Sequence, residues 1–207
     1  FIINNEISKL ILEIYNSNIK SILNKLESFY NSKIIPAQIY IARNYNFENL
    51  DKEYYSNKFH MDGYLCTYLK LFINISDVDE NNGPLHVISK KHTSNVVKKL
   101  KYINRNNYKS DIDIECHKHI GKSGSALICN TTQCYHRAGV PEKNFTRDMM
   151  TITLLAFPRE NIDIENILDI NETDKTKREN SNELIQKLKP KNLRDTVKIY
   201  KQYKFFK

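Results

Sequence analysis

Apolar and polar positions alternate in two textures along this chain. Ile7, Leu10, Ile11, Ile14, Ile22, Leu26 and Phe29 recur at helical spacing, which predicts one amphipathic helix over residues 5–30. Pro36 marks the end of the connection that follows. From Ala37 the texture changes to short apolar or alternating runs, AQIYIARNY, YLCTYLKLFINI, PLHVIS, SALICNTT and MMTITLLAF, rich in Ile, Tyr, Thr and Phe. Turn material such as Asp79-Glu80-Asn81-Asn82-Gly83 separates them, and this is the pattern of an antiparallel sandwich or barrel. A helix and loop are expected between strands over Val96–Tyr108. Beyond Pro158 the chain turns charged, with a solvated loop expected over 171–180 and helices over 182–189 and 193–204, the latter with Leu193, Val197, Tyr200 and Lys204 on one stripe.

Helix, then strands, then helices defines a mainly β fold with flanking helices, best met by a double-stranded β-helix (jelly roll, cupin-like). The expected divisions are an N-terminal helix packing on the barrel (1–35), the β-helix core (36–158) and a charged helical C-terminal extension (159–207). The chain begins with Phe, which reads as a piece of a longer protein.

Composition narrows the function classes. No run of about 20 apolar residues is present, so no membrane span is expected, and the chain reads as cytoplasmic. Cys66, Cys116, Cys129 and Cys134 form no CxxC pair and read as free thiols. The net charge of +8 is uneven. His86–Ser110 holds seven Lys/Arg and no acid, 160–174 holds six acids and no base, and 184–207 holds eight Lys/Arg against Asp195 alone. A basic chain invites a nucleic-acid reading, but no helix-turn-helix, zinc-finger or aromatic RNA-binding signature accompanies it, so a nucleic-acid partner is not expected.

The stretch KFHMDGY carries the first chemistry. In a strand, His60 and Asp62 share a face and make two-thirds of a facial metal site. His86, His92, the pair His117 and His119, or His136 can supply the third ligand. Hairpin geometry selects His136: with a turn at Pro141-Glu142, residue 136 stands opposite 147, which is Arg. Two imidazoles, a carboxylate and a fixed guanidinium leave metal positions open for a chelating 2-oxo acid and O2, with Arg147 holding a distal carboxylate in a bidentate grip. His117 and His119, also two apart, precede the Gly121-Lys122-Ser123-Gly124 turn with no acid in place, and are expected in a solvated loop.

At these residues the chain resembles a family. FHMDG, LKLFINISDVDENNGPLHVISKKH, GKSGSALICNTTQCYHRAG and then Arg147 resemble the phytanoyl-CoA dioxygenase family of Fe(II)/2-oxoglutarate-dependent oxygenases over residues 58–157. The resemblance implies that His60, Asp62 and His136 bind Fe(II), that Arg147 binds the distal carboxylate of 2-oxoglutarate, that Asn82-Gly83-Pro84 makes a tight turn, and that His92 is a structural residue of the next loop. It implies hydroxylation of a C–H bond with release of succinate and CO2. Desaturation, cyclisation or epimerisation, or a cupin-like binding protein without turnover, are the alternatives. Two departures stand out: Ser89-Lys90-Lys91 replaces the usual Pro-Gly-Ser, and Ala138 stands where a hydroxyl residue often helps the arginine. Tyr40 and Lys70 are the candidates for the missing second contact to 2-oxoglutarate. The basic stretch after the NGPL turn points to an anionic small-molecule substrate that carries phosphate, CoA or a carrier protein.

Overall fold

The computed structural model describes residues 5–30, 32–46, 55–62, 68–100, 115–157, 168–170 and 174–188. The expected N-terminal helix forms as α1 (Asn5–Ile14) and α2 (Lys20–Tyr30), joined by a π-helical turn at Tyr15–Ile19. Its buried stripe is Ile11, Tyr15, Ile19 and Leu23, a strict step of four. In a pure α-helix a four-residue step overshoots one turn by about 40°, so such a stripe drifts round the helix. The wider π turn takes back part of that rotation and keeps the four side chains in line. Full burial of Ile11, Ile19 and Leu23 stabilises the unit by about 1.5–3 kcal/mol each. Leu10, Ile14 and Phe29, expected on the inward face from a regular 3.6 period, are exposed instead.

Eight strands follow among the described residues: β1 (Lys33–Tyr45), β2 (Tyr68–Asn74), β3 (Leu85–Val87), β4 (His117–His119), β5 (Ala126–Asn130), β6 (His136–Ala138), β7 (Thr146–Phe157) and β8 (Asp169–Ile170). Five hydrogen-bond in the order β5-β2-β7-β1-β8 and three in the order β4-β3-β6. The result is the mainly β, cupin-like arrangement of two sheets with added helices that the strand texture predicts. The pair β1–β8 is parallel, Gln38 facing Asp169 and Ile39 facing Ile170, where only antiparallel pairing was expected. β1 also runs through Pro36. With β8 pairing only Gln38 and Ile39, that edge demands no N–H at position 36.

Helix α3 spans Lys90–Leu100, so it starts six residues before the expected Val96 and takes His92 out of a loop and into its first turn. Ser89 caps it, accepting from the His92 N–H at 3.2 Å. Helix α4 (Lys175–Leu188) covers 182–188 of the helix expected over 182–189 and begins inside the segment read as loop. Residues 101–108 of the helix and loop expected over Val96–Tyr108, and the helix expected over 193–204, lie outside the described residues.

The chain divides into two compact units, one of Phe1–Tyr40, Tyr64–Leu69 and Thr151–Lys207, the other of Ile41–Gly63 and Lys70–Met150. The first holds α1, α2, β8 and α4. The second holds every residue discussed below except Tyr40. Its core is a buried cluster of Phe72, Leu85, Val87, Cys129 and Met149, drawn from β2, β3, β5 and β7. Strand alternation then places Lys70 and Asn74 of β2, and Arg147 of β7, on the cluster's side. Cross-strand register does the same for β4 and β6, because Leu85 faces His119 and Ala138 while Val87 faces His117 and His136. His119 is therefore a buried strand residue and not part of a solvated loop, while His117 is exposed. The segment HKH has no apolar residue to announce a strand.

The turn before β3 is tightly made. Asp79 caps a 3-10 turn at Glu80–Asn82, and Gly83 follows in the left-handed region at φ 63°. A Cβ on Gly83 would lie 2.4 Å from the backbone of Val140 and Pro141, and one on Gly139 would lie 2.4 Å from the Pro84 carbonyl oxygen. The two glycines thus let β3 and the end of β6 touch backbone to backbone. Gly83→Ala is expected to destabilise the protein by at least about 1–3 kcal/mol from the positive φ alone, with the clash added. Denaturant unfolding of the purified variant checks it.

Candidate metal centre

His60 enters by backbone pairing. Its N–H donates to the His136 carbonyl at 2.9 Å, and the His136 N–H donates back to His60 at 3.0 Å. This antiparallel bridge places the two imidazoles with ring centres 4.4 Å apart. Asp62, two residues on, donates its N–H to the Thr131 carbonyl at 2.9 Å. Asp62 Oδ1 then stands 3.8 Å from His60 Nε2 and 3.9 Å from His136 Nε2. One ligand atom from each of the three residues lies within 4.8 Å of the others.

Both rings are fixed in tautomer. His60 Nδ1 donates to the Lys58 carbonyl at 2.7 Å and His136 Nδ1 to the Cys134 carbonyl at 3.0 Å. A carbonyl only accepts, so each Nδ1 carries the proton and each Nε2 presents a lone pair. That is the arrangement second-sphere carbonyls impose on metal-binding histidines. Burial, with His60 beside it, pushes the His136 imidazole down to about 4 against the opposing pull of Asp62, so it stays neutral and available as a ligand. Burial works to raise the Asp62 carboxyl. Lys70 and His136, with the Thr131 hydroxyl, outweigh it and hold the acid below the usual carboxylate range. Lys70 Nζ lies 2.9 Å from Asp62 Oδ2, the oxygen that does not face the histidines.

Arg147 is the most telling residue. It is 1% exposed, and one Nη donates to the Gly83 carbonyl. Its Nε and other Nη have no partner among the described residues. Burial pushes the guanidinium down to about 10, yet that still leaves a charged, desolvated fork with two of its three nitrogens without a partner among the described residues. Buried cations with unmet donors are expensive.

The hairpin that selected Arg147 in the sequence does not form. β6 pairs with β3 in one sheet, while Arg147 sits on β7 in the other. Between them Gly139 packs on the Gly83–Pro84 backbone and Asn46 Nδ2 donates to the Pro141 carbonyl at 2.9 Å, so the chain crosses from sheet to sheet, through a turn at Glu142–Phe145, where a hairpin was expected. Arg147 still faces the buried cluster, by strand alternation. Of the two candidates for a second 2-oxoglutarate contact, Lys70 is engaged with Asp62, and Tyr40 is half-buried on β1 in the first unit. Ala138 faces Leu85. The other histidines stay out of the triad: His86 accepts from Arg137 Nε at 2.9 Å, and His92 and His117 line a cavity of about 460 Å³ with Val87, Ser89, Glu115, Cys116 and Leu127. Cys116, Cys129 and Cys134 are free thiols, as expected. No helix among the described residues is long and apolar enough to cross a membrane.

No family model and no curated protein sequence matches the chain. Solved structures with a similar course include "Crystal Structure of EvdMO1" (14% identity, 62% of this chain and 29% of that one, TM-score 0.41). Others are the "Non-heme monooxygenase, ThoJ-Ni complex" (10%, 86% and 72%, 0.43) and HygX from Streptomyces hygroscopicus with nickel and 2-oxoglutarate bound (16%, 68% and 64%, 0.42). The chain spans less than a third of the first of these. Likeness at this level is weak.

Proposed function

We propose that the protein is an Fe(II)/2-oxoglutarate-dependent oxygenase of the phytanoyl-CoA dioxygenase type, and that it hydroxylates a C–H bond of a small anionic substrate. The observation that carries this reading is the pairing, in one unit, of a His-Asp-His cluster with a buried guanidinium whose Nε and Nη have no partner among the described residues. Two imidazoles and one carboxylate on one side of a site suit a ferrous ion and leave positions open for a bidentate 2-oxo acid. When bound, iron with 2-oxoglutarate and O2 supplies the oxidative decarboxylation that releases succinate and CO2 and hydroxylates the substrate.

The chain's own residues hold and orient. His60 and His136 offer Nε2 because the Lys58 and Cys134 carbonyls take Nδ1–H. Lys70 grips Asp62 Oδ2 and so turns Oδ1 toward the imidazoles. Arg147 takes the distal carboxylate through its planar fork. The cavity of about 460 Å³ beside Val87, the residue facing His136, is the proposed substrate pocket. Exposed Lys90 and Lys91 begin α3 beside its lining residues Ser89 and His92, which favours an anionic substrate.

Purified protein given Fe(II), 2-oxoglutarate and O2 is expected to form succinate in step with 2-oxoglutarate loss, at a rate that metal chelation abolishes. Tight 2-oxoglutarate binding with no succinate, even across a broad panel of anionic substrates, would instead identify a binding protein of the same fold.

A further inference from the structure

Arg147 is not alone in having unused polar atoms on the cluster's side of the sheets. Asn74 is 1% exposed, and neither its Oδ1 nor its Nδ2 has a partner among the described residues. His119 is 5% exposed and its Nε2 is likewise without one. A buried polar side chain normally has its hydrogen bonds made, so three such residues together mark a missing ligand.

The strands show that they are together. The Ile75 N–H donates to the Asp148 carbonyl at 2.9 Å, which sets Asn74 opposite Met149 and diagonal to Arg147 on one face. The Asn74 N–H donates to the Ser125 carbonyl at 2.9 Å, and His119 hydrogen-bonds the same Ser125 backbone. His119 faces Leu85, two residues along from Gly83, whose carbonyl holds Arg147. His119 also lies one pleat, about 7 Å, along β3 from the level of His136. Across the sheet β4 also stands two strand spacings, about 10 Å, from β6.

We propose that Asn74 and His119 join Arg147 in holding the distal carboxylate of the 2-oxo acid, and that His119 does so by taking up a proton as the acid binds. The inference rests on the reading given under Proposed function. It supplies the second contact that Ala138 cannot. The proton follows from the hydrogen bonding. The Ser125 backbone bond favours the charged ring, so it accepts, and the ring nitrogen that meets it already carries hydrogen. Nε2 of the neutral ring is then a bare acceptor, and only the imidazolium donates there to a carboxylate. Burial, with His117 on the same strand and Arg147 on β7, holds His119 below its ordinary range while the pocket is empty. Asn74 on β2 and Leu85 on β3 add no charge. An incoming carboxylate reverses the balance, so affinity falls as pH rises through the value the bound ring acquires.

The test is calorimetry on Zn(II)-loaded protein, in buffers of differing ionisation enthalpy, with 2-oxoglutarate and with 2-oxopentanoate, which chelates the same way but lacks the distal carboxylate. Uptake of about one proton near neutral pH is expected for 2-oxoglutarate and none for 2-oxopentanoate. His119→Gln and Asn74→Ala should each weaken 2-oxoglutarate about tenfold, and His119→Gln should abolish the proton uptake. Unchanged 2-oxopentanoate binding by both variants shows the site intact. Wild-type 2-oxoglutarate binding without proton uptake, together with wild-type affinity in both variants, overturns this inference and leaves the oxygenase reading standing. Metal-loaded wild-type protein that binds no 2-oxoglutarate at all overturns both.

Discussion

His136→Ala is expected to lower Fe(II) affinity by more than about 100-fold, since even second-sphere changes at metal sites cost about 10–100-fold. The fold should survive. His136 is a short side chain in a strand whose backbone bonds to His60 and to β3 do not depend on it. His60→Ala should behave the same way. Asp62→Ala removes the metal too, but it differs in a second measurement. Lys70, whose side chain is only 16% exposed, keeps its charge without its partner at 2.9 Å. Breaking a buried pair from one side costs about 3–5 kcal/mol, so Asp62→Ala should also unfold at clearly lower denaturant, while the histidine variants shift little. His117→Ala should leave metal affinity unchanged. Equilibrium dialysis with metal analysis, paired with denaturant unfolding, separates these outcomes. Near wild-type iron binding by His136→Ala would remove it as the third ligand.

Arg147→Met is the second large effect, and it acts in opposite directions on binding and stability. Without ligand, wild-type protein carries a buried cation with one hydrogen bond to Gly83 and two nitrogens without partners among the described residues. Methionine fills similar space with no charge, and replacing a poorly paired buried ion by an apolar side chain is often stabilising by about 1–4 kcal/mol. The variant is therefore expected to melt at or above the wild-type temperature. Its 2-oxoglutarate affinity should fall by more than about tenfold, as loss of charge-assisted hydrogen bonds at about 1.5–3 kcal/mol each requires. Added 2-oxoglutarate at about 100 times its Kd stabilises metal-loaded wild type by about 2.7 kcal/mol, and the same concentration should stabilise the variant by no more than about half as much. Arg147→Lys keeps the charge but not the fork, so it too should lose about tenfold in affinity. An Arg147→Met protein that melts lower and binds 2-oxoglutarate normally would place the anchor elsewhere.

Strand identity was legible where apolar residues alternate. LKLF, LHV and MMTITLLAF fall on β2, β3 and β7, and the pair His60 and Asp62 declared itself by spacing. Three things were not legible, each for a physical reason. The π turn in the first helix changes which side chains face inward, and nothing in a local apolar count reports a hydrogen-bond register. The eleven-residue step from His136 to Arg147 suits a hairpin as well as a crossover, and the choice is made by contacts of Gly139 and Asn46 with distant backbone. His119 lies in a three-residue polar strand and is buried where it faces Leu85. Its partner in the proposed pocket, Asn74, looks in sequence like the polar end of an apolar run. Both become conspicuous only when their polar atoms are found buried and unused, a signal that exists in three dimensions and not in the string of residues.

One measurement bears most directly on the central claim, that His60, Asp62 and His136 hold a metal onto which Arg147 delivers a 2-oxo acid. Anaerobic protein loaded with one equivalent of Fe(II) is titrated with 2-oxoglutarate while the visible metal-to-ligand absorption of a chelated 2-oxo acid is recorded. A band that grows and saturates at about one equivalent of 2-oxoglutarate, and that needs many times more in Arg147→Met, is the predicted result. Iron bound at one equivalent with no band at any 2-oxoglutarate concentration would contradict it.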